Sequence, residues 1–401
     1  MPDRRTARVL PTAYHGRETA FIKHELLKAY LKRLFLIIGM SAQRLGITEL
    51  CYVDGFAGPW LDGSDDLGST SIAISLGILD ECRRELEKQG RPVRIRALYV
   101  EKDRVAFARL EGYLREQTPV GIEAKPLEGD FVELRKTILD WCGSAAFAFF
   151  FLDPKGWKAV GVNVLRPLLA RPQSEFLITF MYDFVTRFVS MQELETHMFE
   201  LLGEAPNVGE RHGPEREKHV LNIYRRNLKQ LMPVKGNWRA RSAYVRVLDR
   251  EKDRTKYHLT YLTSHPHGIT VFMAISEALE PVQKLVRAAT KQSSRIEKTG
   301  QDEFWSAEEL ADTAEQPVDI AEVERFWLDR LSIRPTTFGE AEFADLLEET
   351  DWFPGDFQRA LGNLITAKRV ENLDAEGKRR SRFLHFEKKT GERLQLTGAA
   401  R

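Results

Sequence analysis

Short, almost purely apolar runs recur through the first 180 residues, each ending on an acid or a glycine turn. Residues 49–53 feed Asp54-Gly55-Phe56-Ala57-Gly58-Pro59-Trp60, and residues 93–100 stop at Glu101 and Asp103. Residues 121–126 lead to Gly129-Asp130-Phe131, and residues 146–152, the most hydrophobic run of all, stop at Asp153-Pro154. A strand that is apolar throughout has both faces buried, which is the condition of a parallel sheet covered by helices on each side. Stretches with helical spacing lie between these runs, at 71–88, 105–116, 132–142 and 162–169, and a further strand follows at 175–181. The expectation is a doubly wound α/β sheet.

A preceding amphipathic helix is expected over 21–38, where Phe21, Leu26, Leu27, Tyr30, Leu31, Leu34 and Phe35 recur near helical spacing. After the strands comes a helical insertion, about 190–232. Two extended runs, 242–248 and 256–263, are joined by a charged turn and should pair as an antiparallel hairpin on the sheet edge. A helix at 269–289 closes the first domain, 1–290. Residues 291–318 turn polar and read as a linker.

The remainder, 319–401, reads as a winged helix-turn-helix. Helices are expected at 321–331 and 339–349, the latter capped by Thr337, and Pro354 starts a third. Residues 370–386 then read as strand, charged turn, strand. The wing, 377–389, carries six basic residues and one acid, and Gln358, Arg359, Asn363 and Thr366 on the third helix are expected to face a groove.

Composition narrows the setting. With 43% hydrophobic and 30% charged residues the chain can bury a large core, and its longest apolar runs fall far short of the roughly 20 residues that cross a bilayer. Cys51, Cys82 and Cys142 fit no zinc-ligand spacing and read as thiols in a reducing compartment, so a cytoplasmic location is expected. The net charge of +1 says nothing about a polyanionic partner, yet residues 211–256 hold 14 basic and 5 acidic residues interleaved with Tyr224, Trp238 and Tyr244, a pattern that can track a phosphate backbone. His258, His265 and His267 lack a companion at metal-ligand spacing.

In an open parallel sheet the ligand lies beyond the carboxyl ends of the strands, so the acids and glycines there carry the chemistry. Gly55 and Gly58 leave the backbone bare for close approach. Glu101 is placed to accept from a ribose diol, and Asp130 from an adenine amino group. Together with Asp54, Phe56, Ala57, Pro59, Asp103 and Phe131 they are expected to form a slot for S-adenosylmethionine. A dinucleotide or P-loop site would need glycine patterns the chain does not contain.

The ordered motifs D-G-F-A-G-P, Y-V-E-K-D, G-D-F and F-L-D-P-x-G resemble class I S-adenosylmethionine-dependent methyltransferases, and most closely the three-Cys-motif partner proteins (TcmP). Lys23-His24-Glu25 and Gly68-Ser69-Thr70 are also similar to that family. The resemblance implies a Rossmann-like methyltransferase domain with a winged helix, and a phage-related three-Cys-motif, radical-SAM-like partner protein. In methyltransferases of base amino groups, a D/N-P-P-Y/F tetrad holds the exocyclic NH₂ and stacks the base. Asp153 and Pro154 match its first two positions. Lys155 and Gly156 depart from it, with Trp157 one position late for the stacking face. Transfer to DNA or RNA is the function this implies. The alternatives are a catalytically silent cofactor-binding module that supports the partner, and methylation of a protein or small molecule.

Overall fold

The computed structural model describes residues 10–58, 70–188, 195–234, 238–299, 318–377, 379–388 and 390–397. The chain divides into two compact units, Met1–Ser264 and His265–Arg401.

In the first unit, helix α1 (Glu18–Leu45) buries the stripe that its spacing foretells, including Leu27, Leu31 and Phe35, and ends at Gly46 in the left-handed conformation (φ 66°). Then follow β1 (Glu49–Asp54), α2 (Ser71–Lys88), β2 (Arg94–Glu101), α3 (Arg104–Gln117), β3 (Ile122–Glu128), α4 (Phe131–Cys142), β4 (Phe147–Leu152), α5 (Val162–Leu169) and β5 (Ser174–Phe180). The insertion comprises α6 (Tyr182–Phe188), α7 (Glu195–Leu202) and α8 (Gly213–Gln230), and β6 (Arg241–Leu248) and β7 (Thr255–Thr263) complete the unit.

Among the described residues these strands form one seven-stranded sheet, in the order β3-β2-β1-β4-β5-β7-β6. β1 to β5 are parallel, whereas β7 runs antiparallel to both β5 and β6. This is a doubly wound, Rossmann-like sheet, with the antiparallel hairpin on the edge that the sequence implies. β4 is buried at every position, as a central strand must be. Buried Glu175 ties the sheet to α1: it accepts from the hydroxyls of Tyr30 (2.9 Å), Tyr261 (2.7 Å) and Thr263 (2.7 Å).

The second unit opens with α9 (Pro266–Thr299), which continues through residues 291–299 where a loop was expected. That stretch is polar but rich in Lys, Gln, Arg and Glu, which are good helix formers, so polarity alone misplaces its end. After α10 (Ile320–Arg330) come β8 (Thr336–Phe338), α11 (Glu340–Glu349), α12 (Pro354–Thr366), β9 (Val370–Asn372) and β10 (Glu392–Leu396). The three short strands pair in the order β8-β10-β9 and complete a winged helix-turn-helix. Thr337 lies within β8 opposite Arg393, and the residue that caps α11 is Gly339, whose N–H donates to Glu342 Oε2 at 3.0 Å. The second wing strand also lies later than expected, at Glu392–Leu396.

Candidate functional site

Each acid at a strand end is fixed by local chemistry. Asp103 caps α3, its Oδ1 accepting from the N–H groups of Val105 (3.0 Å) and Ala106 (2.8 Å). Asp130 caps α4 through the N–H of Val132 (2.8 Å). Glu101 Oε1 accepts from the Asp103 N–H at 2.7 Å. Its Oε2 lies only 1.7 Å from where a β-carbon on residue 58 would stand, so residue 58 must be glycine for the carboxylate to seat there. Gly55 is crowded less severely: a β-carbon would lie 2.8 Å from Leu152 and 3.0 Å from Phe131.

These strand ends converge on one cleft of about 1050 Å³, lined by Gly55, Phe56, Gly58, Glu101, Asp103, Asp130, Phe131, Asp153, Pro154, Lys155 and Trp157, among others. Of the residues named from sequence, Asp54 and Ala57 do not line it, and Pro59 lies outside the described residues. Asp54 is fully buried, accepting from the Phe56 N–H (3.1 Å) and Ser71 Oγ (2.9 Å). Burial pushes its carboxyl up to about 7, against the opposing pull of those two hydrogen bonds. Asp54 therefore shapes the glycine turn from behind the cleft.

The acidic-proline segment is less open than its motif implies. Lys23 of α1 forms an ion pair with Asp153, across 130 residues of sequence. Burial pushes the Asp153 carboxyl up, but the charge and hydrogen bond of Lys23 more than offset it, and the group is held below the ordinary range. The neighbouring His24 is buried against the Tyr14 hydroxyl at 2.9 Å, and burial, aided by the charge of Lys23, pushes it down to about 3, so it is neutral. The Pro154 carbonyl accepts from the Gly156 N–H at 3.1 Å, where Gly156 adopts φ 124°. Lys155 is exposed, and Trp157 is half-buried with its ring 5.5 Å from that of His197 in an edge-on contact. Sequence reasoning missed Lys102, Lys158, Asn163, Phe184 and Glu200, which also line the cleft. Lys102 alone had a signal, standing between the two acids of Y-V-E-K-D.

Among the described residues no cluster of His, Cys, Asp or Glu is fit to hold a metal ion, and no helix is long and apolar enough to cross a membrane. His258 is buried on β7 with Nε2 3.0 Å from Glu217, while His265 and His267 stand at the start of the second unit. The three cysteines are free and buried.

On the winged helix, Gln358 does not face a groove. It is buried, donating to the Leu384 carbonyl (2.8 Å) and accepting from the N–H groups of Phe383 (2.8 Å) and Leu384 (3.0 Å). Arg359, Asn363 and Thr366 are exposed.

Residues 291–377 match the family described as GMT-like wHTH domain. A solved structure described as loganic acid methyltransferase with SAH is 9% identical, with 74% of this chain and 91% of that chain covered and a TM-score of 0.27. No curated protein matches the chain.

Proposed function

We propose that the first unit binds S-adenosylmethionine in this cleft and transfers its methyl group to a nucleic acid, as part of a TcmP-type protein that works with a three-Cys-motif, radical-SAM-like partner. The observation that carries the reading is the seat of the Glu101 carboxylate on the bare α-carbon of Gly58, at the end of β2 and beside the first glycine turn. Glu101 Oε2 has no hydrogen-bond donor among the described residues, which suits an acceptor waiting for a diol. Phe56 and Phe131, with ring centroids 4.9 Å apart, offer apolar faces beside Asp130 for an adenine. The cleft is also large enough for a cofactor and part of an acceptor. The bound cofactor supplies an electrophilic methyl on a sulfonium. The protein's task is to orient the acceptor and exclude water.

Asp153 is suited to orient an acceptor N–H: Lys23 keeps it ionised, and a carboxylate has lone pairs left after one ion pair. Incubating labelled S-adenosylmethionine with DNA, RNA and protein, alone and with the partner, tests the reading. Transfer to a nucleic acid that falls by two orders of magnitude or so in Asp153→Ala is the expected result. Transfer only to protein or small molecules contradicts the nucleic-acid reading.

The engaged Pro154 carbonyl, together with Lys155 and Gly156 where the base-methylating tetrad has proline and an aromatic, favours a second reading. In it the unit binds the cofactor but transfers nothing and serves the partner as an interaction module. Tight cofactor binding with no transfer to any acceptor distinguishes it.

A further inference from the structure

Charge along the cleft is divided. Near the ends of β2 and β3 the lining acids are Glu101, Asp103 and Asp130, and Lys102 is the basic residue between them. Beyond β4 the lining holds Asp153, whose charge Lys23 cancels, and Glu200, whose carboxylate is 3.6 Å from His197 Nδ1, against Lys155 and Lys158. Both lysines are exposed, and neither forms an ion pair among the described residues. Lys158 Nζ is 6.0 Å from the centre of the Trp157 ring, and Phe184, 37% exposed and on the helix after β5, also lines the cleft. One half of the cleft is thus acidic, and the other combines a small basic excess with aromatic faces.

Several of the basic residues that the sequence concentrates elsewhere are already engaged by the protein's own groups. Arg225 is buried on Ser242, Arg226 pairs with Glu204, and Arg254 pairs with Asp183 at 2.8 Å. On the wing, Arg379 holds Glu392 and Arg382 pairs with Glu387. A cation already paired with a carboxylate releases little on meeting a phosphate.

We infer that the basic half of the cleft receives one nucleotide of a single-stranded polynucleotide, with Lys155 and Lys158 on backbone phosphates and the rings of Phe184 and Trp157 beside the base. This rests on reading the acidic half as the cofactor site. Lysines that follow the backbone and aromatic faces that accept any base are the chemistry of single-strand binding. A base within a duplex would have to leave its stack to enter the cleft.

Fluorescence anisotropy of labelled single-stranded DNA and RNA oligonucleotides with the full chain, across a salt series, tests the inference. The double variant Lys155→Gln/Lys158→Gln is expected to bind about tenfold or more weakly and to flatten the log–log salt slope by about 1.4, the share of two single-strand phosphates. Phe184→Ala is expected to lose roughly tenfold with the salt slope unchanged. Arg380→Gln, at an exposed wing arginine that forms no ion pair among the described residues, tests the wing as the competing site and is expected to lose less affinity than the lysine variant. Preference for one sugar over the other names the substrate and supports the site. No oligonucleotide binding, equal binding of a duplex, or a loss confined to the wing variant overturns it. Calorimetry with S-adenosylhomocysteine on the same proteins separates the two readings. Cofactor binding retained in the lysine variant isolates the loss to the nucleotide site. Absence of cofactor binding in the native chain would sink the methyltransferase reading while the anisotropy result stood by itself.

Discussion

Asp54 combines a motif position at a strand end with complete burial. It ends β1 as the motif requires, yet its two hydrogen bonds go to Ser71 and the Phe56 backbone. With its carboxyl pushed up to about 7 by burial, the folded state holds a proton that the unfolded chain releases near 3.8. Stability contributed by this group is therefore full below the unfolded value and falls as pH rises through the window up to about 7. The loss is on the order of 4 kcal/mol at most. Asp54→Asn keeps the acceptor oxygen for Phe56 and never ionises. Urea melts at pH 5 and pH 8 should show a smaller pH dependence in the variant than in the native chain, and an unchanged dependence would refute the assignment. Lys23 is the opposite case, a helix-start lysine whose partner, Asp153, no local pattern can reveal.

At the scale of elements, the wing is organised around Glu392 at the start of β10, which is fully buried. Burial raises its carboxyl, but Arg379, the His385 N–H (2.9 Å), Asn372 (2.9 Å) and Lys388 (3.0 Å) more than compensate and hold it far below the usual range. Its stabilising contribution is thus full above the unfolded value of 4.5 and is lost progressively as pH falls below it. Glu392→Ala leaves Arg379 without its partner and is expected to cost about 3–5 kcal/mol. Hydrogen exchange should show faster exchange at the Phe383, Leu384 and His385 amides while β1 to β5 keep their protection. Uniform exchange across both units, or none, would contradict this. The strands and helices of the first unit were legible because apolar runs and helical periods are local signals, and α2 and α5 fall at the expected residues. Gln358 and the wing were not legible in the same way. A glutamine on an amphipathic helix reads as solvent-facing, and only the fold reveals that its amide pins Phe383 and Leu384. The second wing strand was placed too early for a related reason, since the residues before it bond to side chains and not in a ladder.

For the whole molecule, the lesson concerns charge. A local excess of basic residues in the sequence overstates the charge free to meet a polyanion, because folding brings Glu204, Asp183, Glu387 and Glu392 to four of the arginines concerned. Lys155 and Lys158, two cleft lysines without an ion pair among the described residues, lie in a segment that sequence reasoning valued for its acid and its proline. The parallel run of β1 to β5, by contrast, follows from the alternation of strands and helices, and it places a ligand beyond the carboxyl ends of those strands. The central claim is that the cleft at those ends holds the adenosyl group, with Glu101 on its ribose. Isothermal titration of S-adenosylhomocysteine into the full chain and into Glu101→Ala tests it most directly. The account predicts one site per chain, weakened about 10- to 100-fold in the variant, as expected for losing hydrogen bonds to a charged acceptor. No binding to the native chain, or equal affinity in the two proteins, would contradict it.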